Sequence, residues 1–294
     1  MKILIIFLFF AMLMCLAENA CAQDIGGPVD TTKMYKIELK DGSVFFGNVL
    51  EKDSLNMVVK TASLPRLEIP VSKIKHIEEI DESHFREGSY WFPNPNSTRY
   101  LYGPSAYNLK KGEAYYQNTW LVLNAFNVGL TNNFSIGAGI ELVSTFSAGE
   151  PIFFITPKVG YEVADKFNAG GGVLYVNVPG FDSSSRSSLG IAYAIGTYGT
   201  LDNNITGGFG WGFVEGDFQA RPIITFSGMT RVSKKTALVT ENWLIPADGY
   251  YGLFSYGIRF FGETIAVDLA FVNNADIADL LIIGIPFVGF TVKL

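Results

Sequence analysis

The sequence predicts an all-β protein, an antiparallel transmembrane β-barrel of about twelve strands preceded by a small β-domain. Three observations carry this. From Tyr115 to Leu294 apolar and polar side chains alternate over segments of about ten residues, the period of strands facing lipid on one side and a lumen on the other. The connections alternate in size. Tight polar turns (Thr131-Asn132-Asn133, Ala164-Asp165-Lys166, Asp202-Asn203-Asn204, Ser233-Lys234-Lys235, Gly262-Glu263) trade places with looser ones (Ser147 to Pro151, Pro179 to Arg186, Glu215 to Ala220, Pro246 to Tyr250, Asn273 to Leu281). Finally, the residues flanking tight turns continue one apolar face, as a hairpin requires: Leu130 with Phe134, Val163 with Phe167, Leu201 with Ile205.

Eleven strand segments follow from Tyr115: 115–130, 134–145, 152–163, 167–178, 187–201, 205–214, 221–232, 236–245, 251–261, 264–273 and 282–294. If both ends of the barrel lie on one side of the membrane, the count is even. Thr98 to Tyr107 supplies the twelfth strand, although Pro104 makes it irregular. Ten strands is the alternative, if two segments are one bent strand.

Ahead of the barrel, residues 1–22 read as a secretory signal. Lys2 precedes an apolar core, and Ala20-Cys21-Ala22 is a small-residue cleavage site. Both cysteines, Cys15 and Cys21, fall within it, so no disulfide or thiol chemistry is expected of the mature chain. Residues 33–80 form a separate β-domain. Tyr35 to Lys40 alternates, Asp41-Gly42 turns, and Ser43 to Val49 alternates again. Residues 81–97 are a linker, where Pro93-Asn94-Pro95-Asn96 forbids regular structure. Its aromatic triplet Tyr90-Trp91-Phe92 suits either a membrane interface or packing on the small domain. The barrel occupies 98–294.

Strand parity assigns an interior. The lumen-lining candidates are Glu141, Lys158, Glu162, Arg221, Arg231, Glu241, Arg259 and Asp268, because Arg or Lys facing lipid at mid-membrane costs about 2–4 kcal/mol. The same parity places Gly190, Gly196, Gly208 and Gly210 inward, as a small-residue wall. The charges either tune solute passage or pair to brace a filled barrel. Twelve strands lie between a self-filled eight and an aqueous sixteen, so a narrow pore is expected unless a loop or the linker folds inside.

Chemistry is sparse. The two histidines, His76 and His84, precede the barrel, which has neither His nor Cys to activate a nucleophile. The expectation is therefore no enzyme, with carboxylate-only catalysis by Glu141, Glu162 and Glu241 as the residual exception. No cofactor and no metal is implied. A net charge of −6 argues against nucleic acid as a partner.

Two resemblances follow from these residues. Ile37-Glu-Leu-Lys-Asp-Gly-Ser-Val-Phe-Phe-Gly-Asn-Val49 resembles the first half of the Sm-like small-barrel pattern, which implies an Sm/SH3-like domain. The strand unit resembles bacterial outer-membrane β-barrel proteins. Val288, Phe290, Val292 and Leu294 resemble their C-terminal assembly signal, though that signal usually ends in an aromatic residue. The resemblance implies the outer membrane of a Gram-negative-type bacterium, with the small domain periplasmic. Its implied partners are outer-membrane lipid, the barrel-assembly machinery during insertion, and a periplasmic protein for the small domain. The expected function is a porin-like narrow channel or transporter for small solutes, with a non-conducting anchor for the small domain as the alternative.

Overall fold

The computed structural model describes residues 29–86, 89–147, 151–179 and 186–294; the signal segment at 1–22 lies outside them. The chain divides after Phe92 into two compact units.

The first unit is a five-stranded antiparallel sheet of β1 (Met34–Leu39), β2 (Val44–Lys52), β3 (Asn56–Thr61), β4 (Leu67–Pro70) and β5 (Ile74–Ile80), in the order β4-β3-β2-β1-β5. Alternation buries Tyr35, Ile37 and Leu39 against Val49, Met57, Val59 and Ile74. Gly47 permits the bend of β2, since a Cβ there would meet the Lys60 carbonyl oxygen at 2.1 Å. Beyond the sheet, short strands β6 (Phe85–Arg86) and β7 (Ser89–Tyr90) pair with each other. Tyr90 stacks on Phe46 at 4.7 Å, so of the two roles open to the aromatic triplet, this ring takes packing on the small domain.

The second unit is a closed barrel. Its wall runs β8 (Ala114–Thr119), β9 (Leu123–Gly129), β10 (Phe134–Glu141), β11 (Ile152–Ala164), β12 (Phe167–Pro179), β13 (Arg186–Gly199) and β14 (Asn203–Val214), then, after the two-residue β15 (Asp217–Phe218), β16 (Ile223–Ser233), β17 (Thr236–Pro246), β18 (Tyr250–Phe261), β19 (Ile265–Asn273) and β20 (Ile285–Lys293). Each wall strand pairs antiparallel with its neighbours in sequence, and β20 pairs with β8, closing twelve strands. Closure leaves no unpaired edge, the condition for strands to cross lipid. Helices α1 (Leu142–Ser147) and α2 (Ala275–Leu280) sit in two of the larger connections. Outward side chains such as Phe153, Tyr161, Phe226, Phe254 and Leu269 form an exposed apolar face.

Twelve strands is the expected number, reached by a different route. Residues 98–107 are not a wall strand. Apart from one isolated bridge, Arg99 to Pro104, they make no ladder and lie inside the barrel. The missing strand comes from 115–130, which is two strands rather than one. Trp120 and Leu121 take φ of +51° and +63°, the signs of a type I′ turn, and the Val122 N–H returns to the Thr119 carbonyl at 3.3 Å. Such turns are marked by Asn-Gly or Asp-Gly, and a Trp-Leu pair gives no warning.

One strand is also inverted relative to expectation. Phe167 pairs with Tyr198 and Tyr198 with Ile205, all three exposed, so the even residues of β13 face lipid. Gly190 and Gly196 therefore point outward, not into the lumen. Aromatic rings cover both: a Cβ on Gly190 would meet the Phe213 ring at 2.5 Å, and one on Gly196 the Phe167 ring at 3.1 Å. The reason is the turn. Leu201 lies inside it rather than on its flank, so counting back from Leu201 shifts the whole strand by one residue.

Candidate functional site

Residues 93–110 enter the lumen and are held there by the wall's charges. Glu241 of β17 is fully buried. It accepts the backbone N–H groups of Leu101, Tyr102 and Gly103 at 2.9, 3.0 and 2.7 Å, and the Trp243 indole N–H at 2.7 Å. Lys158 of β11 donates to the carbonyls of Thr98, Ser105 and Tyr107 at 3.1, 3.2 and 2.6 Å. Arg259 of β18 makes a two-point pair with Asp268 of β19 and donates to the carbonyls of Asn96 and Tyr100 at 2.9 and 2.6 Å. An irregular segment has no ladder to satisfy its peptide groups, so wall side chains satisfy them.

Neutral groups complete the grip. Thr197 accepts the Ala106 N–H at 2.8 Å, the Tyr100 hydroxyl reaches Asn204 and Thr206 at 2.6 Å each, and Tyr102 meets Ser255 at 2.7 Å. Glycine sets the fit on β11 and β12. A Cβ on Gly160 would stand 2.3 Å from the Ala106 carbonyl oxygen, and one on Gly170 3.5 Å from the Ala106 Cα. The small inward residues there make room for the plug.

Above the plug, toward the larger loops, lies a cavity of about 520 Å³. Its floor includes Arg99, Tyr102 and Leu109 of the plug; Phe154, Leu174, Val176, Ile191 and Ile223 line its walls. The inward Gly208 and Gly210 of β14 face these residues: a Cβ would meet Ile195 at 2.5 Å from the first and Ile191 at 2.9 Å from the second. The space these glycines open is filled by neighbouring branched side chains.

The remaining expected lumen residues divide by height. Arg231 is buried at the tight-turn end and pairs with Asp202 at 3.1 Å. Glu162 is inward by register and exposed. Glu141 lines the cavity and caps α1, accepting the N–H groups of Val143 and Ser144 at 2.6 and 2.7 Å. Arg221 is not a lumen residue. It is exposed on the loop rim between β15 and β16, donating to the carbonyls of Ala247 and Gly249 beside the Tyr250 ring.

No family model matches the sequence, and no curated protein does. Solved structures do match the barrel. The KdgM porin in complex with disordered oligogalacturonate is 9% identical over 62% of this chain and 95% of its own, with a TM-score of 0.41. The chain resembles bacterial outer-membrane β-barrels. The NanC porin is 8% identical over 62% of this chain and 97% of its own, with a TM-score of 0.37. Outer membrane phospholipase A from Escherichia coli is 10% identical over 63% and 92%, with a TM-score of 0.35.

Sequence reasoning missed Arg99, Tyr100 and Tyr102, because a segment read as wall carries no sign that it is cargo for the lumen. It also missed the apolar cup. Leu174 and Val176 stand at inward parity in line with Gly170 and Gly172, and that change from small to bulky was the available signal.

Proposed function

We propose that this protein is a non-enzymatic outer-membrane transporter for small solutes, closed at rest by its own plug. The observation that carries the reading is the stacking of two compartments in one lumen. Hydrogen-bonded residues 93–110 occupy the tight-turn half, and a cavity of about 520 Å³ occupies the loop half. A ligand entering from the loops meets a preformed site, within the roughly 300–1,000 Å³ of small-molecule pockets. Passage then requires the plug to move. The plug is held by hydrogen bonds, which water can take over as it moves.

The absence of His and Cys from the barrel sequence supports a non-enzymatic role. Its exposed apolar outer face supports placement in the outer membrane. For the small domain we propose the periplasmic side, where it docks a protein partner. The strand order β4-β3-β2-β1-β5 and the bend at Gly47 support its Sm/SH3-like reading. The plug starts at Pro93, directly after this unit, so a partner pulling on the unit pulls on the plug.

Planar-bilayer conductance tests the transporter. The wild type is expected to stay largely closed, and a variant lacking residues 94–110 to open in discrete steps. A deletion variant that still shifts on heating in detergent gels, as folded barrels do, yet conducts nothing would overturn the reading.

A further inference from the structure

Four charged side chains line the cavity: Arg99, Glu141, Lys158 and Glu241. Three are satisfied by backbone: Glu141 by the first turn of α1, Lys158 by three plug carbonyls, and Glu241 by three plug N–H groups. Arg99 is different. It is buried, one of its terminal nitrogens donates to the Leu101 carbonyl, and its Nε has no partner. Among the described residues it has no ion-pair partner either. The buried charges of the barrel unit point the same way. Arg99, Lys158, Arg231 and Arg259 stand against Asp202, Glu241 and Asp268, one cation in excess.

An unpaired buried guanidinium is costly, and an anion that pairs with it recovers that cost. The wall beside it selects the rest of the ligand. Phe154, Leu174, Val176, Ile191 and Ile223 make one side of the cavity apolar, while Gln117, Thr119, Asn127 and Thr156 line it elsewhere. Against that apolar side a hydrated sugar acid would lose its water without replacement, whereas an alkyl chain gains by burial. At the loop end Leu121 and Phe146 are 68% and 73% exposed, an apolar approach for the same chain.

Resting on the transporter reading above, we propose that the cavity takes a monoanionic amphiphile, a long-chain carboxylate whose head pairs with Arg99 and whose chain lies along the apolar wall. Binding of radiolabelled palmitate to the full chain in phosphatidylcholine nanodiscs tests it. One palmitate per barrel is expected. Arg99→Met should weaken palmitate about tenfold or more while leaving hexadecanol unchanged, and Arg99→Lys should restore most of the loss. Ile191→Glu should weaken both probes, and Arg221→Met, on the rim, neither. Equal palmitate affinity in wild type and Arg99→Met overturns the proposal, as does gluconate binding as tightly as palmitate. Should Arg99→Met not fold, the Ile191→Glu and gluconate arms decide it. Palmitate bound at Arg99 without transfer across liposomes retires the transporter reading alone. Opening of the plug-deleted variant without palmitate binding to the wild type retires this proposal alone.

Discussion

Asp268 holds Arg259 at two points, Oδ1 with Nε at 2.6 Å and Oδ2 with Nη2 at 3.0 Å, and so aims the guanidinium's remaining N–H groups at the plug. Arg259 and Asp268 stand directly opposite each other in the β18–β19 register. A carboxylate in this position fixes the fork plane, which a single contact would leave free to turn.

Asp268→Asn should therefore cost about 3–5 kcal/mol, because it leaves a buried cation half-paired. The temperature of the gel shift in detergent measures this. In the double variant Asp268→Asn with Arg259→Met the losses should be less than additive, since no orphan charge remains. Full additivity would show that the two residues act independently.

Glu241→Ala removes the acceptor of three plug N–H groups and the Trp243 indole. Each buried donor left unmade costs about 1–3 kcal/mol, more than enough to release a segment with no ladder of its own. Trypsin should then cut at Arg99 or Lys110 while the barrel stays folded, and single-channel conductance should rise. Unchanged protection would mean that Glu241 does not hold the plug.

Gly160→Val drives a branched side chain into the Ala106 carbonyl, 2.3 Å from the position of its Cβ. The expected result is a displaced plug and raised conductance. Gly207→Ala, whose Cβ meets nothing within 4 Å, is the matched control and should behave as wild type.

Ala192→Arg tests the orientation of β13. Ala192 pairs with Trp211 on the lipid face near the middle of the strand, so a charge there should cost about 2–4 kcal/mol in urea unfolding from vesicles. An unchanged midpoint would place Ala192 in the lumen after all.

The small domain should lose stability in acid. Backbone N–H groups of Asn56 and Leu55 hold the Asp53 carboxyl below its ordinary value; the Ser43 N–H does so for Asp41, and the Lys75 ammonium for Glu38. A carboxyl with a depressed folded pKa binds fewer protons folded than unfolded. Its contribution is thus present above the ordinary range near ~4 and lost as pH falls through the depressed values. These groups are exposed, so the effect is modest. Amide protection factors in β1 to β5, exchange rates corrected for the intrinsic pH dependence, should be flat from neutral pH to about 5 and fall below about 4. A Glu38→Gln, Asp41→Asn, Asp53→Asn variant with the same acid profile would refute this.

Alternation and turn size by themselves determined that this chain makes a closed antiparallel barrel, because a strand between lipid and lumen writes its two environments into alternate residues. They also placed Lys158, Glu241, Arg259 and Asp268 on the inner face, where a charge has somewhere to go. Three matters were left to the tertiary structure. A Trp-Leu turn split one segment into two strands, which local composition does not announce. Leu201 in a turn reversed β13, whose lumen face is as apolar as its lipid face, so hydrophobicity could not tell the sides apart. Residues 93–110 became a plug rather than a linker and a strand, since the peptide groups of Asn96, Thr98, Tyr100 to Gly103 and Ser105 to Tyr107 find partners on wall strands more than fifty residues away in sequence. Such pairing is a property of the closed barrel and has no local trace.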